Sequence, residues 1–270
     1  MSRGLPVLPA MLLAASCAAP PPPAAPPAPV WPVGAVVDLS HPFDEQAIFW
    51  PTADRFRLQK VADGMTPGGF YYAANAFSTA EHGGTHLDAP VHFAKGAYAV
   101  DAIPLDQLIG AAVVVDVTAK CTADADYRVT VGDLQTFELT HGRIPDRAIL
   151  LIRTGFSARW PDAARYLGTA ERGQAAVARL HFPGLHPDAA TWLVANRKIG
   201  ALGIDTASVD YGQSTAFESH RILYERNIPG FENLAHLDRL PPTGAYVVAL
   251  PMKIRGGSGA PLRAIALLPR

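Results

Sequence analysis

The stretch His82-Gly83-Gly84-Thr85-His86-Leu87-Asp88-Ala89-Pro90-Val91-His92 puts three imidazoles and one carboxylate within eleven residues. Gly83-Gly84 and Pro90 disfavour a regular helix here. A fully extended strand fails as well. At roughly 3.3 Å per residue, His82 and His86 would stand about 13 Å apart, the outer limit for two imidazoles sharing one ion. The chain must bend, and the two glycines supply the freedom to do so. Positions 82, 86, 88 and 92 share parity, so a bent but extended loop can turn all four side chains inward. Imidazole nitrogen with carboxylate oxygen suits zinc or manganese, and the absence of thiolate argues against a closed structural zinc site. The alternative, a surface loop that happens to hold three histidines, leaves the spacing and the bending residues without a reason.

Outward from this segment, short runs rich in Val and Ile read as buried strands: Ala112–Val117, Ala148–Ile152, Ile199–Ile204, Tyr246–Leu250 and Ala264–Leu268. Phe70–Ser78 alternates like a further strand. Val131–Leu139 reads as a helix capped by Thr130, and Pro187 opens a second one reaching Asn196. Strands alternating with helices indicate an α/β domain, here residues 36–270, with a mixed central or barrel-like sheet flanked by helices.

The 270 residues are 49% hydrophobic and 17% charged, enough apolar material for a large core, and 23 basic against 24 acidic side chains with no long run of either sign offer no basic stripe to attract nucleic acid. Arg3 and the apolar stretch Leu5 to Ala15 read as a secretory signal over residues 1–17, too short to remain as a membrane span. Leu12-Leu13-Ala14-Ala15-Ser16-Cys17 resembles a lipoprotein processing site, with Cys17 as the lipidated residue; ordinary cleavage is the alternative. The Pro/Ala-rich segment 18–35 reads as a stiff tether. The expected location is therefore periplasmic, held to the membrane only through Cys17. Cys121 is then the one free thiol, which allows no intramolecular disulfide; it reads as a loop or strand-end residue without a role.

The segment 82–92 matches every fixed position of H-x-G-T-H-x-D-x-P-x-H, and the chain is identified by it as similar to the bacterial cyclase family, which includes kynurenine formamidases and isatin hydrolases. Further blocks agree: Gly203 to Asp210, Glu218-Ser219-His220, Phe231-Glu232-Asn233-Leu234, Leu250-Pro251-Met252-Lys253 and Pro261-Leu262-Arg263. The resemblance implies the swivelling β/α fold of that family and one or two Zn2+ or Mn2+ ions per subunit. It implies His82 and His86 as ligands of one metal, Asp88 as a bridge, His220 as a ligand of the second, Glu232 as the other bridge, and His92 as general acid/base. Trp50 resembles the tryptophan that lines the substrate pocket of formamidases. Without the family, His220 reads as a helix-surface residue and Glu232 as a solvated one. His141, His181, His186 and His236 have no motif support.

The reaction so implied is hydrolysis of a small-molecule amide by metal-activated water. Glu81-His82-Gly83-Gly84, Tyr211-Gly212-Gln213-Ser214-Thr215 and Lys253 to Gly259 look like the isatin-hydrolase branch, which favours a cyclic aryl amide over N-formylkynurenine. Ser214 has no nucleophile-elbow context and reads as a pocket or structural residue. By resemblance the protein is a homo-oligomer, dimer or tetramer. An exported metal-binding or sensing lipoprotein without activity is the reading from another class, and His92, which a mere binder does not need, separates the two.

Overall fold

Apart from Met1, the computed structural model describes residues 34–269; the expected leader, Cys17 and nearly all of the tether lie outside the described residues. The strands in chain order are β1 (Val36–Asp38), β2 (Arg57–Met65), β3 (Tyr71–Ser78), β4 (His86–Asp88), β5 (Ile109–Asp116), β6 (Arg128–Val129), β7 (Ile149–Arg153), β8 (Gly184–Leu185), β9 (Ala201–Ile204), β10 (Gly230–Glu232), β11 (Thr243–Pro251) and β12 (Gly259–Leu267). Seven of them run in the order β12-β11-β5-β7-β9-β10-β4, and β4 pairs back onto β12 to close a barrel. The β5-β7-β9-β10 portion is parallel and the rest antiparallel. This is the mixed, barrel-like α/β domain expected.

Alternation along the strands divides the apolar residues between two cores. Leu87, Val114, Ile149, Leu151, Phe231 and the alanines of β11 and β12 fill the barrel interior. Small side chains at Ala245, Ala249, Ala260, Ala264 and Ala266 let a narrow barrel close around the larger ones. On the other face, Val113, Val115, Leu150, Ile152, Leu202 and Ile204 form a second core. Helices Val131–His141, Pro187–Asn196 and Glu218–Tyr224 contribute Leu134, Leu193 and Leu223 to it. Strands buried on both faces read as unbroken apolar runs, which is why β7 and β9 were legible.

Thr130 caps its helix through a reciprocal capping box with Asp133, and Pro187 occupies the first turn of the helix ending at Asn196, both as expected. Cys121 departs from expectation: it is buried on the short helix Thr118–Ala123, the inward-facing side chain of an otherwise polar turn. Burial pushes its thiol up to about 12, so it is chemically quiet.

Candidate metal centre and aromatic pocket

The site is built on the seam of the barrel. In the antiparallel pairing of β4 with β10, His86 lies directly opposite Glu232, and Gly230 opposite Asp88. Directly paired residues project to one face, so the ladder itself sets the Glu232 carboxylate beside the His86 imidazole. His86 and Asp88, two apart on β4, share that face, while Leu87 points into the barrel. The helix Glu218–Tyr224 packs over this outer face and delivers His220 from above.

The bend before β4 is made at Gly84, whose φ of 57° is a left-handed conformation and where a Cβ would come within 2.6 Å of the Phe43 ring. Thr85 ties the turn down: its hydroxyl donates to Asn233 O at 2.7 Å and accepts from the His41 amide at 2.8 Å. Pro90 then opens a short 3-10 turn, Pro90–His92, that swings His92 back toward His82. The two rings stack at 3.8 Å between centroids. The expected bent segment is thus a glycine turn, a three-residue strand and a 3-10 turn, and it brings all four parity-matched side chains to one place.

The distances are short. His82 Nδ1 lies 2.6 Å and His86 Nε2 3.1 Å from Asp88 Oδ1. His86 Nε2 is 3.4 Å from Glu232 Oε2. His220 Nε2 is 3.5 Å from Asp88 Oδ2 and 3.0 Å from Glu232 Oε1. Two groups of potential ligands share Asp88: His86 with Glu232, and His82 with His92. All five expected ligands therefore converge, and the structure brings His92 within ligand reach of His82 and Asp88 as well.

Each imidazole is held by its far nitrogen. His86 Nδ1 donates to Gly84 O at 2.9 Å, and that carbonyl also accepts from Asn233 Nδ2. Asn233 in turn accepts from Tyr166. His220 Nδ1 is 2.5 Å from Asp210 Oδ2, and Asp210 also accepts from the Ser219 and His220 amides. His82 Nε2 is 2.9 Å from Ser258 Oγ, which donates to Glu81. Tyr224 donates to Asp88 at 3.0 Å. Partners of this kind fix tautomer and ring orientation, as the outer contacts of metal-ligating histidines do. Sequence reasoning assigned no role to Asp210, Ser258, Tyr224 or Asn233, although all but Tyr224 lie in or beside the quoted blocks. Ser214 shapes the turn before the helix, its Oγ accepting from the Phe217 amide.

The electrostatics favour a cation. Burial alone would lower the His86 pKa, but the Asp88 and Glu232 carboxylates outweigh it and hold it at about 10. His220 is raised in the same way, chiefly against burial by Asp210, Asp88 and Glu232. Burial would raise Asp88, yet His82, His220 and His86 hold it well below the usual carboxylate range. These directions measure the pull of the carboxylates on any positive charge placed among them. Metal binding would release the imidazole protons in exchange. His86 Nε2 is buried without a hydrogen-bond partner despite two carboxylate oxygens within 3.4 Å. An orphaned nitrogen aimed at carboxylates, in an all-nitrogen and oxygen donor set, fits a divalent metal.

Beside the cluster opens a cavity of about 270 Å³ walled by Ile48, Phe49, Trp50, Phe93 and Phe217, with His92 at its rim. Trp50 lines this cavity and packs against Phe217 and Phe182. Desolvation by the pocket walls pushes the His92 pKa down, which keeps its ring neutral and able to accept a proton.

The Cyclase family model matches residues 37–211. The chain belongs to the cyclase family. It is 32% identical to the isatin hydrolase of Roseibium aggregatum over 230 residues, covering 82% of this chain and 84% of that protein. It is also 32% identical to the kynurenine formamidase of Salinibacter ruber, over 68% and 74% of the two chains. Among solved structures, isatin hydrolase A from Ralstonia solanacearum superposes with a TM-score of 0.77 at 36% identity, covering 87% and 92% of the chains. An isatin hydrolase bound to the product analogue thioisatinate gives 0.78 at 30% identity, over the same shares.

Proposed function

We propose that this cyclase-family chain is a metal-dependent amidohydrolase that opens a cyclic aryl amide of the isatin type. As in its isatin hydrolase and kynurenine formamidase relatives, the bond it hydrolyses is a C–N bond outside peptides. The observation that carries the reading is the unpartnered His86 Nε2, set among Asp88, Glu232 and His220 at the foot of an aromatic-walled cavity.

His82, His86, Asp88, His220 and Glu232 hold one or two Zn2+ or Mn2+ ions. When bound, the metal supplies a water acidified toward neutral pH and polarises the amide carbonyl. Phe93, Phe217 and Trp50 grip the aryl ring and exclude bulk water from the reacting carbon. His92, neutral and at the rim, takes the proton from water as its oxygen adds to the carbonyl carbon. It then returns that proton to the departing nitrogen, so the C–N bond breaks with no net charge left on the imidazole. The product of a ring opening keeps acid and amine on one molecule.

Metal analysis of the purified chain, combined with hydrolysis assays on isatin and N-formylkynurenine, tests this. Metal-loaded protein that opens isatin faster supports the reading. The reverse preference makes the chain an arylformamidase, whose open formamide the same His92 would serve. Metal-loaded protein inert toward every aryl amide leaves a metal-binding or sensing lipoprotein. We further propose export with Cys17 lipidated: Cys17→Ala should release the protein from membranes at unchanged specific activity, and a native protein found soluble would refute the anchor.

A further inference from the structure

The cavity beside the metal centre is walled mainly by aromatic and aliphatic side chains, and most polar groups that reach it are already committed. His82, His86, Asp88, His220 and Glu232 face one another in the ligand cluster. Asn233 also lines the cavity, but its amide is spent on the Gly84 carbonyl and the Tyr166 hydroxyl. Beyond the cluster and His92 there remains Ser208, a cavity-lining residue only 4% exposed. Its carbonyl accepts from Thr206 Oγ1 at 3.1 Å, whereas its hydroxyl bonds no other described residue. The next residue ties this wall to the site, the Val209 amide donating to Glu232 Oε1 at 2.8 Å. Ser208 therefore enters from the Glu232 side of the cluster, and His92 from the side where it stacks on His82. A lone hydroxyl among apolar walls is a place for one polar atom of a ligand, because a carbonyl buried there without a donor forfeits its hydrogen bond to water.

We propose that Ser208 is a specificity residue whose hydroxyl donates to a second carbonyl oxygen of the substrate, attached to the ring carbon next to the one bearing the amide nitrogen. The assignment rests on the aryl-amide reading above and narrows it to anilides that carry an ortho carbonyl. With the amide carbonyl turned to the ligand cluster, its nitrogen to His92 and the aryl ring among Trp50, Phe93 and Phe217, one polar group of such a molecule is left over. Ser208 is the one uncommitted hydroxyl among the described residues of the wall. A carbonyl can only accept, and a serine hydroxyl can donate to it. In isatin the ortho carbonyl is the ring ketone, and in N-formylkynurenine it is the side-chain ketone, so one contact serves either molecule. An anilide lacking that carbonyl leaves the hydroxyl dry and unpaired, which is how a site built around a hydrogen bond discriminates.

Calorimetric titration of the metal-loaded full chain with two matched ligands tests this without relying on turnover. One is 2-aminophenylglyoxylate, the acid that ring opening of isatin yields; the other is 2-aminophenylacetate, with a methylene in place of the ketone. The wild type should bind the ketone about 5–100-fold more tightly, the range for one buried neutral hydrogen bond. Ser208→Ala should bind the two alike, with its metal content and its affinity for 2-aminophenylacetate unchanged. A wild type without the preference, a Ser208→Ala variant that keeps it, or a variant that weakens both ligands equally would overturn the assignment. Isatin turnover by a wild type lacking the preference would sink this assignment alone. The preference and its loss, found in a chain inert toward every aryl amide, would uphold the contact and sink the hydrolase reading instead. Binding of neither ligand would sink both.

Discussion

The two sides of the site are built on different principles. On one side, His86, His220 and Glu232 are buried and fixed by backbone ladder, helix and far-nitrogen contacts. On the other, His82 is half-buried and His92 exposed, two stacked rings at the pocket rim. Carboxylates outweigh burial and raise the first pair of imidazoles; at His92 desolvation outweighs the pull of Asp88 and lowers the pKa. The same side chain is thereby made a cation holder in one place and a proton acceptor a few ångströms away. Asp88 belongs to both sides, which is where the two roles must meet.

Breaking the buried side should cost most. His86→Ala removes the nitrogen aimed at both carboxylates and should abolish metal content and activity together, read by metal analysis and turnover on the same preparation. Breaking the open side should separate them. His92→Ala should lower kcat by about 10²–10⁴ while metal stoichiometry stays at the wild-type level. Equal metal loss in both variants would make His92 a ligand and erase the distinction. A gentler cut is Asp210→Asn, which leaves every ligand in place but weakens the grip on His220. It should reduce metal affinity by about 10–100-fold, measured by competition with a chelator.

The smallest effect probes a histidine beneath the motif. His41 stacks on Trp160 at 4.2 Å with Nε2 buried and unpartnered. Burial, with some repulsion from His236, lowers its pKa to about 4. Its unfolded value lies near 6.5, so the neutral ring's contribution is full above that value and is lost as pH falls toward 4. Between pH 7 and pH 5 this one group should cost about 1–2 kcal/mol of stability, and denaturant titration of His41→Gln should lack that component.

The parity of 82, 86, 88 and 92 was readable because one short segment carries all four, and its bending residues are strong local signals. The buried strands β5, β7, β9, β11 and β12 were readable as apolar runs. What the residues alone could not supply was long-range pairing. Glu232 becomes a site residue only through its register with His86, and His220 only because its helix turns inward. Both had to come from family likeness. β4 and β10 are three residues each, too short for any period to show, and the charges in β2 hid a strand whose partner β3 was legible. Asp210 and Ser258 touch no cavity wall, and nothing in their local sequence marks a role one shell out.

The barrel's closure has a consequence for solubility. Along one edge of β12, β1 pairs with one end and β4 with the other. Were β4 to lift away, Gly230–Glu232 and Gly259–Pro261 would become unpaired strand edges flanked by apolar residues such as Phe231 and Ala260, a ready template for sheet growth between molecules. Two of the three residues of the strand that shuts this seam, His86 and Asp88, are also candidate metal ligands. Stripped of metal and warmed, the protein should therefore be lost first to aggregation, with the ligand set serving as a latch on the fold as much as a catalytic device.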